Sequence, residues 1–322
     1  MSKESIEMCE ELPVMDMNCC EHLSESSRLS LYKACNEWGH FYIKNHGVSK
    51  ELYWKLRAVN DELLTAVPEE AKERKLKVGV SWYTPRFKLS PYAESFKFLG
   101  PIFSDSASDL GFTEQVFGHR VTQFRNLLDE YGSIMIELSR RIMKLLLKMM
   151  EDSFEDKFYE SEFSNCNGYI RINRYAPRNS NEEIEAFGKH TDISCVTILF
   201  QDEIGGIQMK SKQGDEWVDV RPLEDALLVN IGDFLQAWSN ERLRSAEHRV
   251  VLKQNAKRFT LGFFLVFGDD DRELHAPSEV VGEGNRRVYK PFSTKEYRAF
   301  RENNYGKVVG VPMREFAGID LE

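Results

Sequence analysis

The feature that most constrains the fold is a series of short apolar runs in the second half of the chain. Runs such as Cys195-Val-Thr-Ile-Leu-Phe200 and Leu261-Gly-Phe-Phe-Leu-Val-Phe267 are separated by turn-forming residues, among them Gly205-Gly206 and Gly232-Asp233. Short β-rich runs that alternate with turns are typical of a closed barrel or of two packed sheets. The sequence therefore predicts a mainly β core over residues 161–300.

The first half of the chain carries helical patterns instead. Residues 27–38 begin with a serine that can cap a helix and end before Gly39, and a short apolar strand follows at 41–43. A second helix is predicted over 49–65. Apolar residues recur at helical spacing throughout 114–151, which predicts one long helix packed behind the sheet.

These patterns divide the chain into four parts. We predict an N-terminal α/β region over residues 1–110, a backing helix over 111–160, the β core over 161–300 and an irregular C-terminal tail over 301–322. A last helix is expected over 294–302. At 322 residues the chain can bury one large core, because barrels with added helices exceed the usual size of one domain.

The charge balance bears on the kind of partner. The chain has 43 basic and 52 acidic residues and a net charge of −9, which argues against a nucleic-acid-binding surface. Hydrophobic residues make up 42% and aromatic residues 12% of the chain, enough to fill a barrel and line a pocket. We therefore expect a small-molecule substrate. We also expect a monomer, because no apolar stripe is left over for a partner.

The cysteines and the N-terminus indicate a reducing compartment. The six cysteines contain no C-x-x-C pair, and the adjacent Cys19 and Cys20 make a poor disulfide framework. The N-terminus is acidic and lacks the basic start and apolar core of a secretory signal, and no stretch approaches the length of a membrane span. We expect free thiols, a cytoplasmic location and no membrane partner.

Three side chains have the chemistry of a metal site. His190 and Asp192 form a His-Thr-Asp triplet beside an apolar run, and His248 begins the run His-Arg-Val-Val-Leu. Side chains alternate across a strand, so an H-x-D that enters a strand points its imidazole and carboxylate into one cavity. Two histidines and one carboxylate with open remaining positions suit a non-haem Fe(II) centre that activates oxygen. His22, His40, His119 and His275 lack ligand-like neighbours, and we expect them at the surface or in supporting roles, while His46 is expected to be structural.

A second group of residues can bind a carboxylate. Arg258 and Thr260 share one face of a predicted strand, so a guanidinium and a hydroxyl can meet the same carboxylate. The planar fork of arginine matches a carboxylate bidentately, which lysine cannot reproduce. Upstream, Arg171, Asn173 and Tyr175 have the same two-residue period, and the phenol of Tyr175 can add a hydrogen bond.

Taken in chain order, the motifs resemble those of a known family. They are Asn173-x-Tyr175, His190-x-Asp192, His248 and Arg258-x-Thr260. This series is similar to that of the plant 2-oxoglutarate- and Fe(II)-dependent dioxygenases, and Leu12-Pro-Val-Met-Asp16 with the segment from Ala34 to Val48 resembles the N-terminal signature of that family. The family usually has Arg-x-Ser where this chain has Arg-x-Thr. Threonine keeps the hydroxyl, so cosubstrate binding is still expected.

The resemblance implies a fold, cofactors and residue roles. The fold is a double-stranded β-helix, a jelly-roll barrel, with iron in its open end. His190, Asp192 and His248 bind Fe(II) and are the catalytic centre. The reaction consumes O2 and 2-oxoglutarate and by default hydroxylates the substrate, with ascorbate as the expected reductant. The residues expected to bind 2-oxoglutarate are Arg258, Thr260, Tyr175 and Asn173.

Substrate recognition is expected near the barrel mouth. Residues 81–98 mix aromatic and cationic side chains and are expected to form a lid, which suits a small, mostly apolar acid. With Tyr289-Lys-Pro-Phe292, this segment looks most like the hormone-acting branch of the family, the gibberellin oxidases and auxin-oxidising dioxygenases. The aromatic residues could instead cover the core, and Arg171 could form a structural ion pair. The candidate substrate contacts are Arg171, Phe264, Tyr83 and Phe87.

Three other functions fit part of the sequence. An oxygenase of specialised metabolism, acting on flavonoids or alkaloids, would share every motif and differ only in its pocket lining. A hydrolase could hold Zn(II) with the same three ligands, but it would have no use for the Arg258-x-Thr260 pair. A non-catalytic β-barrel binding protein could keep a vestigial metal site.

Overall fold

Helices fill most of the first half of the chain, and strands fill most of the second half. The structure is a computed structural model that describes residues 12–20, 23–67, 70, 83–86, 90–109, 113–177, 182–210, 216–268, 271–304 and 312–320.

Two capped helices and two strands open the described chain. Strand β1 is Val14–Asp16, helix α1 is Glu25–Glu37, strand β2 is His40–Lys44 and helix α2 is Lys50–Ala66. Both helices and the strand at 41–43 are therefore confirmed. The first helix begins earlier than predicted, because Ser24 and not Ser27 accepts the capping hydrogen bond, and Ser27 supplies the amide. Ser49 caps α2 in the same way.

The long helix behind the sheet is confirmed with a later start. Helix α3 is Phe103–Asp109, α4 is Thr113–Phe117, α5 is Val121–Met150 and α6 is Phe154–Phe158. A 3-10 turn at Gly118–Arg120 separates α4 from α5, with Gly118 at φ +52°, so the helical pattern over 114–151 forms two helices and not one. A short π-helical turn, Tyr159–Phe163, follows α6.

One face of α5 lies against the larger of two sheets. Met135, Leu138 and Ile142 of α5 are buried in the same apolar cluster as residues on the facing strands. Burying one such side chain fully contributes roughly 1.5–3 kcal/mol, so this interface is a major part of the hydrophobic core. The helix leaves the opposite face of the sheet free to line a cavity.

The larger sheet has eight strands in the order β1, β2, β10, β7, β12, β5, β4, β3. All neighbours are antiparallel except β1 and β2. Its remaining strands are β3 (Tyr83–Thr84), β4 (Ala93–Leu99), β5 (Asn167–Tyr175), β7 (Val196–Gln201), β10 (Ala226–Ile231) and β12 (Arg258–Val266).

The smaller sheet completes the barrel. From β5 onward the chain alternates between the two sheets, since β5, β7, β10 and β12 lie in the larger one and the intervening strands lie in the smaller one. This alternation is a double-stranded β-helix, so the predicted jelly-roll fold is confirmed. The smaller sheet runs in the order β6 (Ile184–His190), β11 (His248–Leu252), β8 (Ile207–Lys210) and β9 (Trp217–Val220).

The C-terminal region packs back on the barrel. It contains α7 (Asp233–Trp238), β13 (Glu273–Leu274), α8 (Ser278–Val281), β14 (Phe292–Ser293), α9 (Thr294–Asn303) and α10 (Pro312–Ala317). Helix α9 confirms the predicted last helix over 294–302, and Ser293 with Glu296 forms its capping box. The expectation of an irregular tail is wrong for residues 312–317, which form a further helix.

Part of the predicted lid is sheet. Residues 93–99 pair along their whole length with β5, and Phe96 and Phe98 are fully buried. The lid expectation is wrong there, because a strand held by a continuous hydrogen-bond ladder cannot close over a barrel mouth. Residues 81–82 and 87–89 lie outside the described residues. No helix among the described residues is both long and apolar enough to span a bilayer.

Candidate active site

Three potential metal ligands meet where the smaller sheet opens. His190 ends β6, His248 begins β11, and the two are direct partners in the antiparallel register. Asp192 lies two residues beyond His190, with its Oδ1 atom 3.8 Å from Nε2 of His190 and 3.6 Å from Nε2 of His248. One ligand atom from each residue lies within 4.8 Å of the others. This spacing lets one ion contact all three.

A turn, and not strand alternation, brings His190 and Asp192 together. The prediction placed both residues on one strand entering the barrel. In the structure β6 ends at His190, and Asp192 lies in the turn before β7. The predicted convergence is present, but its predicted cause is wrong.

The two imidazoles are oriented by backbone carbonyls. Nδ1 of His190 lies 2.8 Å from the carbonyl oxygen of Gly188, and Nδ1 of His248 lies 3.2 Å from that of Ala246. A hydrogen on Nδ1 donates to each carbonyl and leaves the Nε2 lone pair facing Asp192. Burial, and then the neighbouring His248, lower the pKa of His190. It is therefore neutral near pH 7, the form that binds a metal.

Asp192 supplies the charge of the cluster. Its side chain is buried, and Nδ2 of Asn230 donates to its Oδ2 across 3.3 Å. Burial alone would raise the pKa of this carboxyl, but His248, His190 and hydrogen bonds from Thr197 and Asn230 together hold it below its usual range. A carboxylate beside two imidazoles is a donor set that fits a divalent first-row metal.

His40 packs against His248, one of the three potential metal ligands. It is fully buried, its ring meets that of His248 edge-on with centroids 5.8 Å apart, and its Nδ1 lies 2.6 Å from the carbonyl oxygen of Trp38. Burial lowers the pKa of His40 to about 3, so it stays neutral. We expected His40 either at the surface or in a supporting role, and the structure shows that it is a buried, supporting residue.

A buried network fixes the turn that carries Asp192. The backbone amide of Asp233 donates to the carbonyl oxygen of Asp192 across 2.8 Å. The Asp233 carboxylate accepts from Thr191, Tyr297 and Arg301. Arg301 also donates to the hydroxyl and the carbonyl oxygen of Thr191, at 2.8 and 2.9 Å. Sequence reasoning missed these residues, because Gly232-Asp233 was interpreted only as a turn.

Helix α7, which begins at Asp233, also fixes the segment that precedes His248. Oε1 of Gln236 accepts from the amide of Ser245 across 2.7 Å, and its Nε2 donates to the Tyr289 hydroxyl across 2.9 Å. All six residues of α7 are buried. Helix α7 therefore supports both segments that carry the potential ligands, through Asp233 on one side and Gln236 on the other.

A buried guanidinium lies at the other end of the site. Arg258 is fully buried, its Nε donates to the Gly205 carbonyl, and its guanidinium carbon lies 4.7 Å from the centre of the Tyr175 ring. Gly205 and Gly206 both have positive φ, and a Cβ on Gly206 would strike the carbonyl oxygen of Val251 at 2.2 Å. The close approach at this turn therefore requires glycine.

The two terminal nitrogens of Arg258 have no hydrogen-bond partner within the described part of the chain. Thr260 and Asn173 are cross-strand partners, and Nδ2 of Asn173 donates to the Thr260 hydroxyl across 3.0 Å. Tyr175 is the cross-strand partner of Arg258 itself. Leaving a buried guanidinium unpaired is costly, so the arrangement fits an incoming carboxylate.

One cavity connects these two ends. Its volume is about 480 Å³, and it is lined by the three potential metal ligands and by Arg258, Thr260, Asn173 and Tyr175. The four-residue carboxylate group and the metal cluster predicted from the sequence therefore share one space. The apolar part of the lining includes Ile193, Leu199, Val250 and Phe264.

Comparison with known proteins decides the family. The family model of the 2OG-Fe(II) oxygenase superfamily matches residues 166–266, and the model of the non-haem dioxygenase in morphine synthesis N-terminal region matches residues 12–89. A gibberellin 20-oxidase-like protein of Arabidopsis thaliana is 45% identical over 330 residues, which cover 96% of this chain and 98% of the relative. The chain belongs to the 2OG-Fe(II) oxygenase family.

The similarity to other known proteins also extends over nearly the whole chain. Feruloyl CoA ortho-hydroxylase 2 of Arabidopsis thaliana is 31% identical, over 92% of this chain and 81% of the relative. The crystal structure of a dioxygenase for auxin oxidation in rice has a TM-score of 0.77 and 26% identity, and covers 96% of this chain and 100% of that one. The protein is thus a 2-oxoglutarate- and Fe(II)-dependent dioxygenase, and the zinc hydrolase and the non-catalytic binding protein are not supported.

Only some of the four predicted substrate contacts of the oxygenase line the cavity. Arg171 and Phe264 line the cavity. Tyr83 does not, because its ring packs on Phe96 and its hydroxyl donates to Glu94 across 2.9 Å. The structure thus corrects the expectation for Tyr83, which is buried in the hydrophobic core. Phe87 lies outside the described residues.

Proposed function

We propose that this oxygenase hydroxylates a small, mostly apolar carboxylic acid of the hormone type, such as a gibberellin or an auxin. The observation that carries the proposal is Arg171, a cation that lines the cavity together with the apolar residues Leu199 and Phe264. Within the described residues it has no acidic partner, since its Nη1 donates only to the hydroxyls of Thr84 and Ser95, at 2.9 and 2.8 Å. Arg171 is half-buried, and a cation without an acidic partner in a cavity favours an anionic ligand.

His190, Asp192 and His248 hold Fe(II) in this proposal. Bound iron supplies the oxygen chemistry, which 2-oxoglutarate and O2 drive. The chain orients the ligands, because the Gly188 and Ala246 carbonyls fix the imidazoles and the Asp233 network fixes the turn around Asp192. No described group needs to act as an acid or a base, and positioning is the main task of the protein.

Arg258 and Thr260 hold the far carboxylate of 2-oxoglutarate. The two unpartnered nitrogens of Arg258 form the bidentate donor pair, and the Thr260 hydroxyl adds a third contact on the same face. Asn173 orients that hydroxyl, and Tyr175 packs on the guanidinium and shields it from water. The cosubstrate then extends from Arg258 to the metal through the shared cavity.

The remaining part of the cavity receives the substrate. Arg171 provides the charge, and Phe264, stacked on Tyr169 with centroids 4.6 Å apart, provides an aromatic wall. Because the two hydroxyls at Thr84 and Ser95 fix Arg171, its guanidinium can hold the substrate at one end while an apolar carbon faces the metal. Binding at Arg171 would in this way orient the reacting carbon of the substrate relative to the metal.

We propose a monomer in the cytoplasm, using ascorbate as reductant. The five cysteines of the described residues are all free thiols, which supports a reducing compartment. The six exposed large hydrophobic residues of the described chain lie in separate elements or loops, as in a monomer. Light scattering of the purified protein would give the mass of one chain.

A second candidate is an oxygenase of specialised metabolism. The observation that favours it is the 31% identity to a feruloyl CoA ortho-hydroxylase over most of the chain. Such a substrate would fill the same cavity, and Arg171 would then contact a phenol or a distant acidic group. The two candidates differ in the substrate that is turned over.

The test is product analysis by mass spectrometry. The enzyme is incubated with Fe(II), 2-oxoglutarate, ascorbate and a panel of gibberellins, indole-3-acetate, flavonoids and feruloyl thioesters. The proposal predicts a product heavier by one oxygen atom from a carboxylic acid of the panel, with one succinate released for each product. The Asp192→Ala variant is the blank. Turnover of flavonoids or thioesters alone would contradict the hormone assignment.

A further inference from the structure

Two cations lie directly opposite each other on neighbouring strands. Lys97 of β4 and Arg171 of β5 are register partners in the antiparallel ladder. Register partners project from the same face of a sheet, and Arg171 lines the cavity, so Lys97 points to the cavity side as well. Like charges directly opposite are destabilising. The fold therefore carries an unfavourable pair at this point, named the cation pair below.

No carboxylate of the described residues forms an ion pair with either member. The Arg171 guanidinium meets two neutral hydroxyls. The ammonium group of Lys97 lies 4.3 Å from the centre of the Tyr169 ring, a cation–π contact. The Tyr169 ring also stacks on Phe264, which lines the cavity, with the two ring planes 8° apart. Arg171 thus lines the cavity itself, and Lys97 contacts Tyr169, which is part of the aromatic wall of the cavity.

The charges around Lys97 come from two elements. Arg171 and Tyr169 face it from β5, and Arg298 and Glu302 face it from α9. Three cations and one carboxylate leave the neighbourhood with an excess of positive charge. An anion bound here would remove the repulsion within the cation pair.

We propose that Lys97 and Arg171 jointly hold the carboxylate of the substrate, and that Lys97 takes up one proton from solvent when the carboxylate binds in alkaline solution. The inference rests on the proposed function, because it names the site for the acid of that substrate. It adds a residue to that site and a pH dependence to its affinity.

The sign of the pH effect follows from the surroundings of Lys97. Burial, and then Arg171 and Arg298, lower the pKa of Lys97 to about 8, while Glu302 acts in the opposite direction. A bound carboxylate stabilises the ammonium and raises this pKa. Below pH 8 the lysine is charged in both states and affinity is constant. Above pH 8 binding needs a proton, and affinity falls about tenfold for each pH unit.

The experiment is equilibrium binding without oxygen, to enzyme loaded with Fe(II) and 2-oxoglutarate. The probes are indole-3-acetate, a gibberellin and jasmonate, each beside its methyl ester, which keeps the shape and removes the charge. At least one acid should bind about tenfold more tightly than its ester at pH 7, and weaken about tenfold between pH 8 and pH 9. Calorimetry in two buffers of different ionisation enthalpy should detect proton uptake above pH 8.

Three variants test the role of Lys97. Lys97→Arg keeps a charge at every pH, so it should bind the acid and lose the weakening above pH 8. Lys97→Met should bind the acid weakly at pH 7 and show no pH dependence. Lys295→Met, an exposed lysine on α9, is the matched control and should behave as wild type. Circular dichroism and 2-oxoglutarate binding verify that each variant is folded.

The outcomes separate this inference from the proposed function. Equal binding of acids and esters, or an unchanged pH profile in Lys97→Arg, overturns the role of the cation pair. Absence of binding by every acid, with normal 2-oxoglutarate binding, overturns it too. Acids that bind as predicted but are never oxidised would leave the cation pair in place and overturn the proposed hydroxylation.

Discussion

Two buried arginines of this oxygenase, Arg258 and Arg301, differ in what completes their hydrogen bonds. Arg301 donates to Thr191, Asp233 and Tyr297, so the protein itself satisfies its charge. The terminal nitrogens of Arg258 have no partner among the described residues. A buried charge that the protein completes stabilises structure, and one that it leaves open favours a ligand. We therefore propose that Arg301 positions the turn at Asp192 and that Arg258 binds an anion.

The same contrast divides the cavity into two ends. At the metal end, each ligand is held by a carbonyl, an amide or a helix that packs behind it. Away from the metal, we propose that Arg258 binds one anion and that the cation pair of Lys97 and Arg171 binds another. The protein therefore fixes the metal-binding side chains by its own hydrogen bonds. In our proposal, the positive charges of Arg258 and of the cation pair are balanced only when anions bind.

The largest effect is expected at the anionic metal ligand. Asp192→Ala removes the only carboxylate of the metal cluster, so Fe(II) binding and turnover should fall to background. Oxygen uptake and anaerobic Fe(II) titration measure both. Asp219→Ala on the partly exposed edge strand β9 is the control and should match wild type. Full activity in Asp192→Ala would break the assignment of the metal end.

A large effect is expected at the open arginine. Arg258→Ala should weaken 2-oxoglutarate binding about 10- to 100-fold, because a hydrogen bond to a charged group contributes about 1.5–3 kcal/mol. Fe(II) affinity should not change, since Arg258 touches none of the metal ligands. The ratio of the apparent KM for 2-oxoglutarate to that for substrate checks this. An equal rise in both values would remove Arg258 from its proposed role.

An intermediate effect is expected at the satisfied arginine. Arg301→Met leaves the Asp233 carboxylate short of a donor and loosens Thr191, so Fe(II) affinity should fall about 10- to 100-fold, the usual cost of losing a group that orients metal ligands. The 2-oxoglutarate affinity of metal-saturated enzyme should stay within about twofold. Lys295→Met on the same helix controls for general damage. Unchanged Fe(II) affinity in Arg301→Met would refute its positioning role.

The smallest effect is expected at Tyr297. Tyr297→Phe removes one donor to Asp233, at 2.6 Å, and leaves Thr191 and Arg301 in place. One hydrogen bond contributes about 0.5–1.5 kcal/mol, so Fe(II) affinity should fall about two- to tenfold. Anaerobic titration of Tyr297→Phe and Arg301→Met with Fe(II) shows which variant loses more Fe(II) affinity. A larger loss in Tyr297→Phe would show that the hydroxyl, and not the guanidinium, controls the turn.

The sequence predicts the parts of the site that follow local periodicity. Arg258 and Thr260, two residues apart on one strand, face the same cavity because alternation along a strand fixes their direction. The buried core strands and the long helix follow from the same kind of pattern. The metal cluster is also predicted, although a turn and not a strand places Asp192 beside His190.

The sequence does not predict contacts that depend on packing over long distances. Arg301 is 68 positions from Asp233 and reaches it only because α9 folds back on the barrel. His40 lies within the segment that resembles the N-terminal signature, but only the pairing of β2 with β10 places it behind His248. Tyr83 is aromatic like Phe264, and nothing in its local pattern shows that its hydroxyl turns to Glu94.

The most direct test measures two affinities in two variants. Fe(II) and 2-oxoglutarate binding are titrated without oxygen in wild type, Arg258→Ala and Arg301→Met. The predicted result is a reciprocal pattern, in which Arg258→Ala loses 2-oxoglutarate affinity and keeps that for Fe(II), and Arg301→Met does the reverse. Loss of both affinities in both variants, or the opposite assignment, would contradict the division between a ligand-binding and a positioning arginine.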